Sequence, residues 1–425
     1  MRLHPAILFA GLFAFFVGVF LLMGTPYTTR LLVEATAFAL IGLGLNIQFG
    51  YGGLFNFGIL GFVMLGGVAA VTVSFPVNDA FWQSDGPLML GRAAAAAAAG
   101  GFIVWLARKS SRLGITGGWR AALVGLAWFA AYVAYRSQID PAVAYIESTS
   151  GWIGGLGLHP VLSWIAGGIL CAGLSYFIGK ITLGLRTDYL AIATIGIAEI
   201  LRSFVKNLDW LTRGTLTVSP VPWPVPRAAD FQAAGADTTM SLILARGSFL
   251  AVVVAFLIFA FILMQRAYEG PWGRMMRAIR DNHIAAGSMG KDVKGRQLEM
   301  FMLGSALMGV GGAILVSFVQ VLDPGGYQPI DYTFLIWVAL IVGGAGNNWG
   351  AVFGTLFIVA VYQLSAPASF VIFRWISAWS TDIGWGAIPD VDSRSQQMRV
   401  FVLGVVITLA LRFAPKGFIP EKVRR

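Results

Sequence analysis

Long apolar runs, broken by short polar stretches, dominate this chain. Ala6 to Met23, Phe249 to Met264 and Met300 to Val321 contain no charged residue. Each approaches or meets the roughly 20 residues that a helix needs to cross a bilayer. The uncharged runs Ala35 to Asn78 and Tyr332 to Phe373 are too long for one crossing, so each must fold back at its glycine-rich, polar middle and is read as two segments. Leu88 to Leu106, Ala121 to Tyr135, Val161 to Ile178, Tyr189 to Val205 and Arg399 to Leu411 are weaker candidates, short or charged near one end. The pattern predicts an all-α, polytopic membrane bundle of about ten or eleven membrane segments, some broken or re-entrant.

Composition strengthens this reading. The 425 residues are 57% hydrophobic and only 12% charged, a balance that a water-soluble domain cannot hide on its surface. The formal net charge of +10 raises the question of nucleic acid, but the cations sit in short loops beside apolar spans. The positive-inside rule accounts for them better, and no nucleic-acid partner is expected. It assigns to the cytoplasm the loop with Arg108, Lys109, Arg112 and Arg120, the loop with Lys180 and Arg186, the segment Arg274 to Arg296, and the tail from Arg412. The loops Asn78 to Pro87 and Asp323 to Asp331 carry acids and no Lys or Arg, so they should face outward. The first apolar run is long for a signal peptide and lacks a small-x-small cleavage site, which makes it an uncleaved span. The lone Cys171 allows no intrachain disulfide.

No polar stretch is long enough to bury a core of its own, so residues 1–425 read as one membrane domain. The longest extramembrane segment, Lys206 to Arg246, contains the proline-dense Ser219 to Pro226, which should run extended across the outer surface with Trp223 at the interface. Gly50 to Gly58 and Gly343 to Gly350 echo one another: each is glycine-rich, ends Asn-aromatic-Gly and interrupts an apolar run. Paired helix breaks point to a solute path, because freed backbone groups must be satisfied by protein or by a water-lined cavity. Glycine is abundant, with 53 residues, so chance is an equal explanation of the echo. Asn46, Asn56 and Asn348, at these breaks, are candidates to line such a path.

Ala267 to Phe301 is a polar, basic insertion between two strong spans. Pro271 suits a helix start, Arg274, Arg277, Asp281 and Ile284 follow at helical intervals, and Gly290 suits a stop. This predicts a short helix, a tight turn and re-entry into the membrane; taken alone, an ordinary hydrated loop is the better explanation.

The same residues carry a resemblance. Gly273, Arg274, Ala278, Ile279, Arg280, Ala285, Ala286 and Gly290 match the form G-R-x-x-x-A-I-R-x-x-x-x-A-A-x-x-x-G, which resembles the LivM-type permeases of the branched-chain amino acid ABC transporter family. Leu45 to Gly53, Leu185 to Thr194, Ala198 to Arg202, Gly343 to Gly350 and Arg412 to Gly417 resemble further motifs of that family, in order, across most of the chain. The chain departs from the pattern at residues 88–138, which add two apolar segments, and at Asn56 and Ile59, where a typical member has Ser or Leu and often Gly-His.

The resemblance implies a non-catalytic permease without a cofactor. Its partners would be a homologous permease subunit, two ATP-binding subunits, an extracytoplasmic solute-binding protein and membrane lipid, in a bacterial inner membrane. Residues 267–299 would then be a cytoplasmic coupling loop. Gly273, Arg274, Arg277, Arg280, Ile284, Ala285, Ala286 and Gly290 would form the contact with the ATPase, the arginines meeting acidic rim residues and the short side chains permitting close approach. The chain has no G-x-x-x-x-G-K-[ST] loop to cradle phosphates, so energy would come from a partner.

Glu199 and Arg202 are spaced to pair, as are Arg30 and Glu34. An intramembrane acid is a functional candidate, so Glu199 joins the possible solute path, against the blander reading of a neutralised interfacial pair. His4, His159 and His283 are scattered, and no metal site is expected. Import of urea or short amides fits the same motifs as amino-acid import. An ion-coupled secondary transporter would need more mid-span acids or histidines, and a membrane enzyme would need a clustered catalytic set.

Overall fold

The computed structural model describes residues 4–110 and 116–421; Arg2, Arg112 and the last four residues of the basic tail lie outside this range. In chain order the α-helices are α1 Pro5–Met23, α2 Thr25–Leu45, α3 Ile59–Ser74, α4 Asp79–Trp82, α5 Gly86–Arg108, α6 Gly118–Thr149, α7 Pro160–Thr182, α8 Thr187–Lys206 and α9 Asp209–Thr212. They continue as α10 Ala228–Ala233, α11 Thr238–Glu269, α12 Pro271–Asp281, α13 His283–Ser288, α14 Val293–Val319, α15 Leu335–Gly343, α16 Asn348–Asp382 and α17 Val391–Phe413. Two short π-helical stretches, Asn46–Tyr51 and Ile330–Phe334, extend α2 and lead into α15. Among the described residues, extended pairing is confined to two isolated bridges, Val77 with Gly154 and Val218 with Leu322.

The chain is therefore an all-α polytopic membrane bundle. Among the described residues eight helices are long and apolar enough to cross a bilayer, and α3 and the segment Ile330–Gly343 are shorter apolar helices. α6 and α8, which cover two of the weaker sequence candidates, are not among the eight. Local chemistry sets several boundaries. The Asp237 side chain accepts from the Thr239 N–H at 3.2 Å to start α11, and Asp292 accepts from Gly295 at 3.0 Å to start α14.

The core is built around α14, which packs against α2, α3 and α7, while α11 and α16 flank α2. Helix α2 is buried on all sides, which is why its apolar residues show no single face. Lipid gives no hydrophobic drive for helix association, so close backbone contact through small residues carries it. Gly44 illustrates this: a Cβ there would lie 2.5 Å from the Gly304 carbonyl of α14.

Helices α5 and α6 pack chiefly on each other as an antiparallel hairpin at the margin. A Cβ on Gly100 would lie 2.7 Å from that of Ala131, and Val104, Ala107 and Ala127 form a small core separate from the main one. The base of the hairpin is tied to the bundle where the Asn78 side chain donates to the Ser150 and Trp152 carbonyls at 3.3 and 2.7 Å.

The proline-dense stretch is non-helical, as its sequence predicts. Trp223 is half-buried, with its ring 5.2 Å from that of Phe249 and 5.9 Å from that of Phe318.

Candidate functional site

Both long uncharged runs break where their glycines lie, and the two breaks meet. Helix α2 widens into the π-helical turn Asn46–Tyr51 and unwinds before α3; α15 ends at Gly343 and α16 begins at Asn348. The Asn46 Oδ1 accepts from the Gly346 N–H at 2.8 Å, and the Asn46 amide donates to Asn348 Oδ1 at 3.1 Å. The Tyr51 hydroxyl donates to the same Asn348 oxygen, while the Asn348 amide donates to Gln265 of α11 at 3.0 Å. Asn46 and Asn348 are almost completely buried. Asn46 thereby satisfies one backbone N–H of the second break, and Asn348 pairs the buried side chains around it; a buried polar group left unpaired costs about 1–3 kcal/mol.

The contact needs glycine at Gly50, because a Cβ there would lie 2.5 Å from the Gly346 nitrogen. The local likeness of the two breaks is shifted by one residue from the alignment of their Asn-aromatic-Gly ends. Asn56 accepts from Gly58 at 2.7 Å, and it is Asn347, not Asn348, that repeats the turn by accepting from Trp349 at 3.0 Å.

Asn56 joins the first break to the core. Its amide donates to Gln48 Oε1 at 2.8 Å, and the Gln48 amide donates to the Phe301 carbonyl at 2.8 Å and to Ser305 Oγ at 3.1 Å, both on α14. Its backbone carbonyl accepts from the Trp337 indole at 3.1 Å, with Phe57 stacked on that ring at 4.6 Å. Of the four polar residues proposed from sequence for a path, Asn46 and Asn348 are therefore joined and Asn56 is linked nearby. Glu199 stands apart on α8, its carboxylate exposed and 3.2 Å from Arg202.

The basic loop lies against this same end of the bundle. Gly273, Met276 and Ile279 form the buried face of α12, and Arg274 and Ala278 are exposed. Sequence spacing predicted one helix from Pro271 through Ile284; the structure breaks it at Asn282. There the backbone turns extended and the Asn282 side chain accepts from the Ile284 and Ala285 N–H groups at 3.1 and 3.0 Å, capping α13. Gly290 ends the turn at φ +76°, a conformation that glycine adopts freely. Ile284 and Ala285 project outward, but Ala286 is buried within its own chain.

The three arginines differ in the same way. Arg274 is exposed, its closest partner the Glu269 carbonyl at 3.4 Å. Arg277 lies over the Tyr268 ring at 4.4 Å. Arg280 turns inward: its Nη1 donates to the Gly50 carbonyl at 2.6 Å and stands 2.9 Å from Glu421 Oε2. Burial works against the Arg280 charge, yet hydrogen bonds and attraction from Glu421 and Asp281 outweigh it and hold its pKa above the ordinary value. Glu421 also accepts from the Tyr268 hydroxyl at 2.8 Å. The segment after α17 reaches this point by pairing Phe418 and Ile419 N–H groups with the Val342 and Gly343 carbonyls at 2.8 and 2.9 Å.

Sequence reasoning missed Gln48, Tyr51, Gln265, Tyr268 and Glu421. Gln48 was accessible, as a polar residue inside an uncharged run. Glu421 carried no signal, since only the fold brings that segment beside α12.

The bundle of long apolar helices, with a basic loop between two of them, defines the class of protein: a multi-pass membrane protein. A family model described as the branched-chain amino acid transport system permease component matches residues 27–141 and 113–411, and the chain belongs to this family. It is similar to the probable branched-chain amino acid transport permease protein LivM of Methanocaldococcus jannaschii, with 25% identity over 60% of this chain and 67% of that protein. It is also similar to the high-affinity branched-chain amino acid transport system permease protein LivM of Escherichia coli, with 26% identity over 46% of this chain. The chain spans about half the length of that bacterial relative, 49%. No solved structure matches this chain.

Proposed function

We propose that this chain is the membrane-spanning permease subunit of an ABC importer, forming half of a translocation path for branched-chain or related amino acids. Its partners would be a homologous permease, two ATP-binding subunits and an extracytoplasmic solute-binding protein, in a plasma membrane. The observation that carries the reading is the Arg280 contact with the Gly50 carbonyl at 2.6 Å. It ties a short exposed helix pair to the break between α2 and α3, giving a separate motor a handle on the unwound backbone.

In this reading ATP-binding subunits dock on α12 and α13. Arg274, Ile284 and Ala285 make the contact, because they are the exposed members of the set. Arg277, Arg280 and Ala286 are engaged within the chain, and they pass the movement on. Gly273 and Gly290 set the shape of the handle. Closing of the ATPase dimer shifts the population between conformations open to either side, and only a ligand that binds the two unequally can do so. Asn46, Asn56 and Asn348 hold the unwound segments through which the path would open. Glu199, exposed beside Arg202, has no such position and is better suited to an interfacial ion pair. Residues 88–138 are an inserted hairpin in this reading, supported by their separate core.

The test is co-reconstitution with the partner permease, ATPases and binding protein in liposomes. The reading expects ATP-dependent uptake of labelled leucine; uptake that continues without ATP defeats it.

A further inference from the structure

At the end of the bundle away from α12, a cavity of about 510 Å³ opens between α2, α16 and α17. Arg30 precedes Asn46 by about 24 Å of helix axis, so this cavity is separate from the asparagine network. Its volume lies in the range typical of small-molecule sites, roughly 300–1,000 Å³.

Four charged side chains line it: Arg30, Glu34, Asp392 and Arg399. Two of them are already satisfied. Glu34 is buried and accepts from Arg30 Nε at 2.8 Å and from Gln363 Nε2 at 2.9 Å, so both carboxylate oxygens have a donor. The other two are not. Arg399 Nε is buried without a hydrogen-bond partner among the described residues, and its guanidinium lies 5.8 Å from the Tyr362 ring centroid. Asp392 is exposed, and its carboxylate has no protein partner among the described residues; it engages Ser395 only through its backbone carbonyl. Arg399 Nε itself is covered, so a ligand would meet Arg399 at its outer Nη groups, which also have no hydrogen-bond partner among the described residues.

Asp392 and Arg399 are two turns apart on α17, about 10 Å along its axis. An ammonium and a carboxylate on adjacent carbons bridge such a span when each forms one charge-assisted hydrogen bond. Leu31 and Ala366, both buried, supply an apolar floor. We propose that this cavity binds a small zwitterion with an aliphatic body, its anion on Arg399 and its ammonium on Asp392. The site rests on the proposed importer function, in which it would face the solute-binding protein and hold the amino acid before the path opens. A zwitterionic lipid headgroup presents the same pair of charges, and the experiment separates the two sources.

The assembled transporter in detergent is titrated calorimetrically, without ATP, with leucine, 4-methylpentanoate, 3-methylbutylamine and glycerophosphoethanolamine. Leucine should bind saturably, and each singly charged analogue at least about tenfold more weakly. Arg399→Gln and Asp392→Asn should each weaken leucine by at least about tenfold, with Arg399→Lys recovering part of the loss. Unchanged thermal midpoints show that the variants are folded. Leucine affinity unaffected by both changes overturns the site, as does tighter binding of the headgroup than of leucine. ATP-driven uptake that persists at wild-type rates in both variants removes this site and leaves the importer reading intact; absence of ATP-driven uptake by the unmodified transporter defeats that reading instead.

Discussion

Arg280 and Glu421 stand 2.9 Å apart, one on α12 and the other in the segment that follows α17. Arg280 also holds the Gly50 carbonyl, so three distant parts of the chain share one guanidinium. Nη1 makes both contacts while Nε holds Asp281 Oδ1 at 3.2 Å, and a planar fork spans these positions where a single ammonium does not.

Arg280→Lys should accordingly be a poor replacement. It keeps the charge but loses the fork, and ATP-driven uptake should fall about tenfold while the ATPase subunits still copurify with the permease. Uptake at the wild-type rate would show that the contact transmits nothing.

Gly50→Ala tests the junction of the two breaks. The added carbon meets the Gly346 nitrogen at 2.5 Å, and overpacking of this kind costs about 1–3 kcal/mol. A lowered thermal midpoint in detergent is the expected outcome, with a smaller change for Gly91→Ala, whose added carbon meets nothing within 4 Å.

Asn348→Leu removes the acceptor for Asn46 and Tyr51 and the donor to Gln265. Leaving these groups buried and unpaired should destabilise the protein by about 1–3 kcal/mol for each one left unmade. Chemical denaturation of the purified protein provides the measure.

Ile284→Glu and Ala286→Trp should separate docking from folding. Ile284 is 70% exposed, so its replacement should leave the thermal midpoint unchanged and abolish copurification with the ATPases. Ala286 is buried, so tryptophan there should lower the midpoint as well.

Replacing residues 88–138 by a short glycine-serine linker should leave the rest of the bundle folded, because α5 and α6 pack chiefly on each other. The purified variant should elute as a single species, with a thermal midpoint near that of the full chain.

Much of this architecture was legible in the sequence, because lipid imposes simple demands. Charge-free length marked α1, α11 and α14, and the excess length of the runs through Gly50 and Gly346 required breaks there. The echo between those breaks had an even chance of meaning nothing, yet the two segments touch. Periodicity could not show the end of α12 at Asn282, since a capping asparagine interrupts a helix without changing the spacing of its neighbours. Nor could it show that Arg280 faces inward while Arg274 faces outward, which depends on where the segment after α17 comes to rest. For Glu199 the sequence offered both a path residue and half of a neutralised pair; α8 places it at the surface beside Arg202.

The asparagine pair also limits how the protein can open. Asn46 grips the Gly346 amide and Asn348 together, so neither unwound segment can separate from the other without breaking both bonds at once. Partial opening on one side gains nothing to offset the loss. The two breaks should therefore come apart as a single unit, without a stable halfway state.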